Sequence, residues 1–371
     1  MRIKILQVCK LYAPWIGGVE KTVQYIAEGL KDKVDIEVLA CQPKGRGVKQ
    51  VINGVKVTKA ASFGIYWGMP VSLTFPFLLA WKSRKVDILH FHLPFPLGDL
   101  FYLLMGSKRK KVVVTYHSDI VRQKWLMKFY RAFLYRFLRR ADKILVTSPN
   151  LLESSEHLGS YKDKCIVVPS SIDLNEFGHP MEKKFDVGVP PSERTVLFVG
   201  RLSYYKGLEY LIEAMREVEA KLLIAGDGEL REELEKKTNF LGLNRKVIFL
   251  GSISDEKLRY LYQICDVFVL PSIEKSEAFG LVQLEAMAYG KPVINTHLPT
   301  GVPFVSIDGE TGITVKPKNS KALAHAINEL LSNKELRKKF GEQARKRVEE
   351  NFTVQKMNER ILEVYRELVA K

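Results

Sequence analysis

Short β-branched runs alternate along this chain with longer stretches whose apolar residues recur every three or four positions. The short runs predict strands at 3–8, 35–40, 88–91, 111–116, 143–147 and 165–168; the longer ones predict helices between them, notably 19–31 and 124–140. The same grammar restarts at 195–199 and continues through strands at 221–225, 247–250, 267–270, 292–295 and 314–315. Helical stretches follow at 321–331, 334–351 and 354–369. Strands alternating with amphipathic helices are the signature of parallel α/β sheets. Between the halves, 170–195 is rich in Pro, Gly and charge and weak in periodicity, as a linker would be. The fold class expected is therefore α/β, two doubly wound domains facing across a cleft where such sheets bind ligands. Their expected bounds are 1–178 and 195–353, with 179–194 as linker and helix 354–371 packing back on the first domain.

Charge sharpens this picture. The 371 residues hold 58 Lys and Arg against 42 Asp and Glu, a net charge of +16. Such an excess favours anionic partners: nucleotide phosphates, an acidic membrane surface or nucleic acid. No nucleic-acid motif accompanies it, so nucleic acid is not expected as a partner. Cys9, Cys41, Cys165 and Cys265 are scattered without a C-x-x-C pair, which argues for a reducing compartment. The N-terminus has an apolar stretch too short for a signal peptide. The most apolar window, 65–81, falls short of a membrane span and carries Pro70 and Pro76. The expected location is cytoplasmic, with or without peripheral contact to an anionic membrane at its cytoplasmic face.

Among candidate motifs, G-x-G-x-x-G and the Walker A pattern are absent. "VLFVGRLSYYKGLEYLIEAM" (196–215) nonetheless reads as strand, loop and helix, with Arg201 and Lys206 flanking the loop. Both cations would converge on a diphosphate, Arg as a fork and Lys as a point charge. The competing reading is a solvated loop with two surface cations. Gly17-Gly18, between a strand and a helix, either lets backbone amides approach a ligand or makes a tight turn. His90 and His92 alternate on one strand and read as strand-end residues lining the cleft; zinc lacks an evident third ligand. His117 ends another strand. No Asp-x-Asp triplet is present to hold a diphosphate through a metal, so neither metal nor cofactor is expected.

Two carboxylates, Glu277 and Glu285, stand eight positions apart in "EAFGLVQLE". Gly280 breaks the stretch, placing Glu277 on a loop and Glu285 in the following helix. They are read as binding different parts of one ligand rather than as the acid and base of a glycosidase. Finally, 108–143 carries twelve Lys and Arg against Asp119 and Asp142. Its helix 124–140 sets Lys124, Lys128, Arg131 and Arg139 near one face and Leu126, Phe129, Phe133 and Phe137 towards another. It would lie on an anionic leaflet or pack on a sheet with its charges in water.

In order along the chain, the GGV loop (17–19), the His117 strand end, "VGRLSYYKGL" (199–208), "IAGDGEL" (224–230) and the E-x7-E stretch (277–285) resemble the retaining glycosyltransferases of family 4, which have the GT-B fold. The resemblance covers nearly the whole chain. It implies an N-terminal Rossmann-like domain that binds the acceptor and a C-terminal one that binds a nucleotide sugar. It also implies roles: Arg201 and Lys206 on the donor diphosphate, Gly17 and Gly18 beside the diphosphate and acceptor, and His117 on the transferred sugar. Glu277 would hold sugar hydroxyls, the amides of Phe279, Gly280 and Leu281 would lie by the sugar and phosphate, and Glu285 would bind the ribose. "HLPFPLGD", "YHSDIVRQKWLMKFYRAF" and "YYKGL" are more closely similar to transferases for O-antigen and polysaccharide that use GDP-mannose or GDP-D-rhamnose. That subgroup implies α-linked transfer to a lipid-linked saccharide. Donors of UDP or GDP-rhamnose type, a sugar-nucleotide epimerase or phosphorylase, and a silent nucleotide- or polyanion-binding protein stay open as alternatives. Replacing Glu277 with Ala is expected to cost transfer far more than stability.

Overall fold

The structure, a computed structural model, describes residues 2–15, 17–107, 109–119 and 124–370, with the side chains of 124–129 outside that description. The chain forms two units, Met1–Ser171 with Val354–Lys371, and Ile172–Thr353.

The first unit carries strands β1 (Lys4–Val8), β2 (Asp35–Cys41), β3 (Val48–Ile52), β4 (Val55–Ala60), β5 (Ile65–Tyr66), β6 (Met69–Pro70), β7 (Ile88–Leu93), β8 (Lys111–Tyr116), β9 (Lys143–Val146) and β10 (Cys165–Val167). Eight of them make one sheet in the order β10-β9-β8-β7-β1-β2-β4-β3, parallel except for β3 at the edge. Strands such as β1 and β7 are buried on both faces, hence their near-continuous apolar sequences. The hairpin joining β3 to β4 turns at Asn53-Gly54, both at positive φ (50° and 85°), as a two-residue turn requires. A separate two-stranded ribbon pairs β5 with β6.

Helices Gly18–Leu30 and Val354–Ala370 cover one sheet face through Val23, Ile26, Leu30, Ile361 and Tyr365. The two helices touch directly: Asn358 Nδ2 donates to the Tyr25 carbonyl at 3.0 Å. Helices Phe75–Ser83, Pro96–Met105 and Lys124–Arg140 cover the other face. On the last of these, Leu134, Phe137 and Leu138 enter the core, whereas Phe133, expected on the apolar face, is exposed beside Arg131, Arg136 and Arg139. The side chains of Lys124, Leu126, Lys128 and Phe129 lie outside the described residues.

The second unit has β11 (Thr195–Val199), β12 (Lys221–Ala225), β13 (Val247–Gly251), β14 (Val267–Val269), β15 (Val293–Thr296) and β16 (Gly312–Val315). They form a parallel sheet ordered β13-β12-β11-β14-β15-β16. Helices Leu208–Ala214 and Ser320–Ser332 pack on one face, and Asp255–Ile264, Leu281–Ala288 and Lys334–Asn351 on the other. Residues 172–194 run against this unit, with the Ile172 N–H bonded to the Phe352 carbonyl at 3.0 Å and Val187 buried.

Strand order reverses between β1 and β7 in the first unit, and between β11 and β14 in the second. Loops leaving the carboxyl ends of such neighbours diverge to opposite faces and open a crevice between them. These two switch points are where ligand chemistry is to be sought.

Candidate active site

In the second unit, the loop after β11 contains Lys206, and the loop after β14 contains Glu277. The two loops are stitched together, since the Ile273 N–H donates to the Tyr205 carbonyl at 2.8 Å. Gly207 makes the close approach feasible: it sits at φ 65°, and a Cβ there would lie 2.2 Å from the Pro271 carbonyl oxygen. The result is a buried ion pair, Lys206 Nζ to Glu277 Oε2 at 2.5 Å, with both side chains about nine-tenths covered. Ser272 Oγ donates to the same carboxylate oxygen at 2.9 Å. Burial works against the Lys206 ammonium, but Glu277 and then Tyr205 outweigh it, and the Lys206 pKa is raised. The lysine is therefore a permanent cation at the switch point.

Arg201 is placed differently. It is mostly exposed and pairs with Glu229 through Nε at 3.3 Å. It is an exposed cation with a carboxylate partner, whereas Lys206 is buried within the loop.

Glu277 is followed by Phe279, a buried side chain packed edge-on against Phe352 at 6.1 Å. Phe279 can therefore offer a ligand only its backbone. Gly280 then caps helix Leu281–Ala288 at φ 76°, where a Cβ would meet Leu270 Cδ2 at 2.6 Å and Gln283 Nε2 at 2.8 Å. This break puts Glu277 on a loop and Glu285 within the helix, and turns the helix amino end, with the free amides that favour anions, towards the loop that carries Glu277. Glu285 is half-buried and accepts the Tyr262 phenol at 2.7 Å.

In the first unit, Gly17 and Gly18 begin the helix that follows β1. Gly17 has an extended backbone, and a Cβ there would run into the Glu20 carboxylate at 2.3 Å. His117 follows β8 directly, its N–H bonded to the Leu93 carbonyl. It is only 6 % exposed.

His90 and His92 do not line a cleft, contrary to expectation. They lie inside β7, 0 % and 2 % exposed, because this strand is covered on both faces and extends two residues past its expected end. Their rings stack with centroids 4.6 Å apart, and His92 stacks on His117 at 5.4 Å. Each nitrogen has a protein partner. His90 meets Thr115 Oγ1 at 2.7 Å and Tyr365 Oη at 2.6 Å. His92 meets Gln7 Oε1 at 2.5 Å through Nε2 and His117 Nε2 at 3.1 Å through Nδ1. Burial, aided by His117, pulls the His90 pKa down to about 3; burial, aided by Lys10, does the same to His117. Burial with His90 and His117 holds His92 well below its usual value. All three rings are neutral at physiological pH.

Sequence reasoning missed Ser272, Tyr262 and Gln7. Only Gln7 left a trace, as the one uncharged polar residue in the apolar strand KILQV. Ser272 and Tyr262 act through partners 5 and 23 positions away.

Two family models match the chain: "Glycosyltransferase Family 4" over residues 16–176 and "Glycosyl transferases group 1" over residues 181–347. The O-antigen chain mannosyltransferase C of Escherichia coli is 33 % identical over 371 residues, covering 99 % of both chains. The D-rhamnosyltransferase WbpZ of Pseudomonas aeruginosa is 37 % identical over 272 residues, covering 73 % of this chain and 71 % of its own. Among solved structures, the sucrose-phosphate synthase of Thermosynechococcus elongatus superposes with a TM-score of 0.81 at 22 % identity, covering 99 % of each chain.

Proposed function

As this chain belongs to the group 1, family 4 glycosyltransferases, GT-B enzymes that move a sugar from a nucleotide donor, we propose that it transfers mannose from GDP-mannose, with retention, to a lipid-linked oligosaccharide or polysaccharide. The observation that carries the donor site is the buried Lys206–Glu277 pair at the switch point between β11 and β14. A nucleotide sugar brings a diphosphate and a hydroxylated ring side by side. Lys206 offsets the charge that gathers on the leaving diphosphate, and the exposed Arg201 leaves Glu229 to bind the same phosphates. Glu277 accepts hydrogen bonds from sugar hydroxyls. The amide end of helix Leu281–Ala288, from Phe279 to Leu281, faces the phosphate, and Glu285 binds the ribose. Gly17 and Gly18 border the acceptor, and His117 contacts the transferred sugar. The choice of mannose is supported by the mannosyl- and D-rhamnosyltransferase relatives.

A lipid-linked acceptor is supported by the surface of residues 42–86. This stretch contains no Asp or Glu and eight Lys or Arg. Phe63, Trp67, Leu73 and Phe77 there are 62 %, 80 %, 69 % and 67 % exposed. Lys85 Nζ lies 3.7 Å from the centroid of the half-exposed Trp81 ring. Exposed aromatics among cations suit the interface of an anionic bilayer. Among the described residues no helix is long and apolar enough to cross a membrane. Among the described side chains of helix Lys124–Arg140, Leu134, Phe137 and Leu138 lie in the core, while Phe133 is exposed beside Arg131, Arg136 and Arg139.

The test is a panel of GDP-, UDP-, ADP- and dTDP-sugars with membrane extract as acceptor source, scored by nucleotide release and by product stereochemistry. GDP release from GDP-mannose that depends on the acceptor is expected. Preference for UDP-sugars would overturn the donor. Interconversion of free donor without acceptor would point to an epimerase, and binding without turnover to a silent nucleotide-binding protein.

A further inference from the structure

The histidine stack of the first unit is a chain of hydrogen bonds with a direction, and the direction is set at Gln7. Gln7 is 0 % exposed, so both hydrogens of its amide need partners within the protein. They have them: Nε2 donates to Tyr365 Oη at 2.9 Å and faces His90 Nδ1 at 3.2 Å. On its other side Gln7 Oε1 faces His92 Nε2. The opposite orientation of the amide would turn two hydrogens towards His92 Nε2 alone. One would be left buried without a partner, a cost of about 1–3 kcal/mol. The amide is thereby locked with its carbonyl towards His92.

Everything downstream follows from hydrogen-bond valence. A carbonyl oxygen only accepts, so His92 must carry its proton on Nε2. Its ring is neutral, which leaves Nδ1 bare, and a bare nitrogen facing His117 Nε2 must accept from it. His117 therefore carries its proton on Nε2, and Nδ1 is the nitrogen left over. Upstream, His90 Nδ1 facing the Gln7 amide hydrogens is the bare nitrogen, so Tyr365 donates its hydroxyl to it and His90 Nε2–H donates to Thr115. In this ordering the Tyr365 hydroxyl and the second Gln7 hydrogen share the one lone pair of His90 Nδ1, and the chain runs from the C-terminal helix to the residue after β8.

We infer that Gln7 and His92 are positioning residues that hold His117 in the Nε2–H tautomer, so that Nδ1 serves as a fixed hydrogen-bond acceptor for a hydroxyl of the transferred sugar. The inference rests on the reading that His117 contacts that sugar. A histidine free to exchange tautomers offers a donor and an acceptor in turn; the relay makes His117 acceptor only. A sugar presenting a hydroxyl hydrogen to that nitrogen is accepted, and one presenting a bare oxygen is refused. Tyr365 belongs to the last helix of the chain, so that helix is part of the relay's anchor as well as a cover for the sheet.

The tautomers are read directly by long-range proton–nitrogen NMR of the histidine rings in the full chain near neutral pH, without donor. A His117→Ala variant identifies the His117 signals. His92 and His117 should both be protonated at Nε2 and bare at Nδ1; protonation at Nδ1, or a tautomer mixture at His117, would overturn the relay. Gln7→Leu should let the His117 signals average between tautomers. It should also lower kcat for GDP-mannose turnover on the order of 10-fold, with the donor KM within about twofold. Gln7→Glu, whose carboxylate accepts the same hydrogen from His92, should restore the tautomer and kcat; unchanged His117 signals in Gln7→Leu would overturn the relay. Should Gln7→Leu fail to fold, the wild-type spectrum still decides. Full turnover in His117→Ala beside the expected spectrum would reject the sugar contact while leaving the tautomer relay standing.

Discussion

Glu277 has two jobs at once, and this changes what its mutation does. It compensates the buried Lys206 ammonium at 2.5 Å and is the carboxylate proposed to hold the sugar. Removing one member of a buried pair leaves an uncompensated charge, at a cost of about 3–5 kcal/mol. Glu277→Ala is thus predicted to lose stability as well as turnover, a correction to the expectation from the motif alone. The two effects separate in a double variant. Glu277→Leu with Lys206→Met replaces both charges by apolar groups of similar length, and such exchanges are often neutral or stabilising. Urea unfolding should show the double variant more stable than Glu277→Ala, while nucleotide release stays about 100-fold or more below wild type. Recovered turnover in the double variant would remove both residues from the donor site.

At the scale of elements, the ribbon of β5 and β6 has a feature that folding does not require. Trp67 stands at its turn with φ 50°, next to Gly68 at 79°, and is 80 % exposed. A bulky residue in left-handed backbone at a solvent-exposed tip stores strain without burying area. Phe77 and Trp81, one turn apart on the helix that follows, face outward too. The proposed contact with a lipid interface would account for both, since it would bury the rings that water leaves bare. Replacing Trp67 and Phe77 by Ser should weaken sedimentation with phosphatidylglycerol vesicles by about 10-fold or more, because burying one such ring is worth about 1.5–3 kcal/mol. Turnover of a water-soluble acceptor should be unchanged. Equal sedimentation of variant and wild type would sink the docking role. On the buried side of the same layer, Tyr130 donates its hydroxyl to Asp99, joining helix Lys124–Arg140 to helix Pro96–Met105. Asp99 is 1 % exposed, and burial, against the opposing hydrogen bond from Tyr130, pushes its carboxyl up to about 8.

For the whole molecule, these buried groups set opposing pH limbs. The three histidines have folded pKa values far below 6.5, at about 3 for His90 and His117. As pH falls below about 6.5 the unfolded chain takes up protons that the folded chain refuses, so their stabilisation is lost towards acid. Asp99 has the opposite sign. Its folded pKa of about 8 lies above the unfolded value of 3.8, so the folded state holds a proton that the unfolded state has released, and stability declines as pH rises to about 8. Below about 6.5 three histidines outweigh one aspartate; above it the aspartate acts alone. Unfolding midpoints should therefore peak near neutral pH, each group contributing about 1.4 kcal/mol per pH unit within its window. Asp99→Asn keeps an acceptor for Tyr130 and should flatten the limb between about 6.5 and 8. An alkaline limb unchanged in that variant would clear Asp99 of the effect.

Much of the fold was legible because a strand buried on both faces must be apolar along its length. The runs at 111–116, 195–199 and 221–225 correspond residue for residue to β8, β11 and β12, and the 3.6-residue pattern marks the helices Lys124–Arg140 and Lys334–Asn351. The β3–β4 hairpin went unread despite its Asn53-Gly54 turn, since exposed β3 lacks the apolar signal of its neighbours. The motif residues were legible as types: a loop lysine, a glutamate before a glycine, a strand-end histidine. Their relations were not. That Lys206 and Glu277 pair across 71 positions, that Gln7 reaches His92 across 85, and that Tyr365 reaches back 358 positions to Gln7, follow from which strands lie side by side. Strand order is settled by how helices pack on the two faces of a sheet, and no local pattern encodes it. The sequence by itself determined the elements and the kinds of chemistry at their ends. Only the tertiary structure decided which groups share a proton or a charge, because such sharing acts over about 3 Å in space and is blind to distance along the chain.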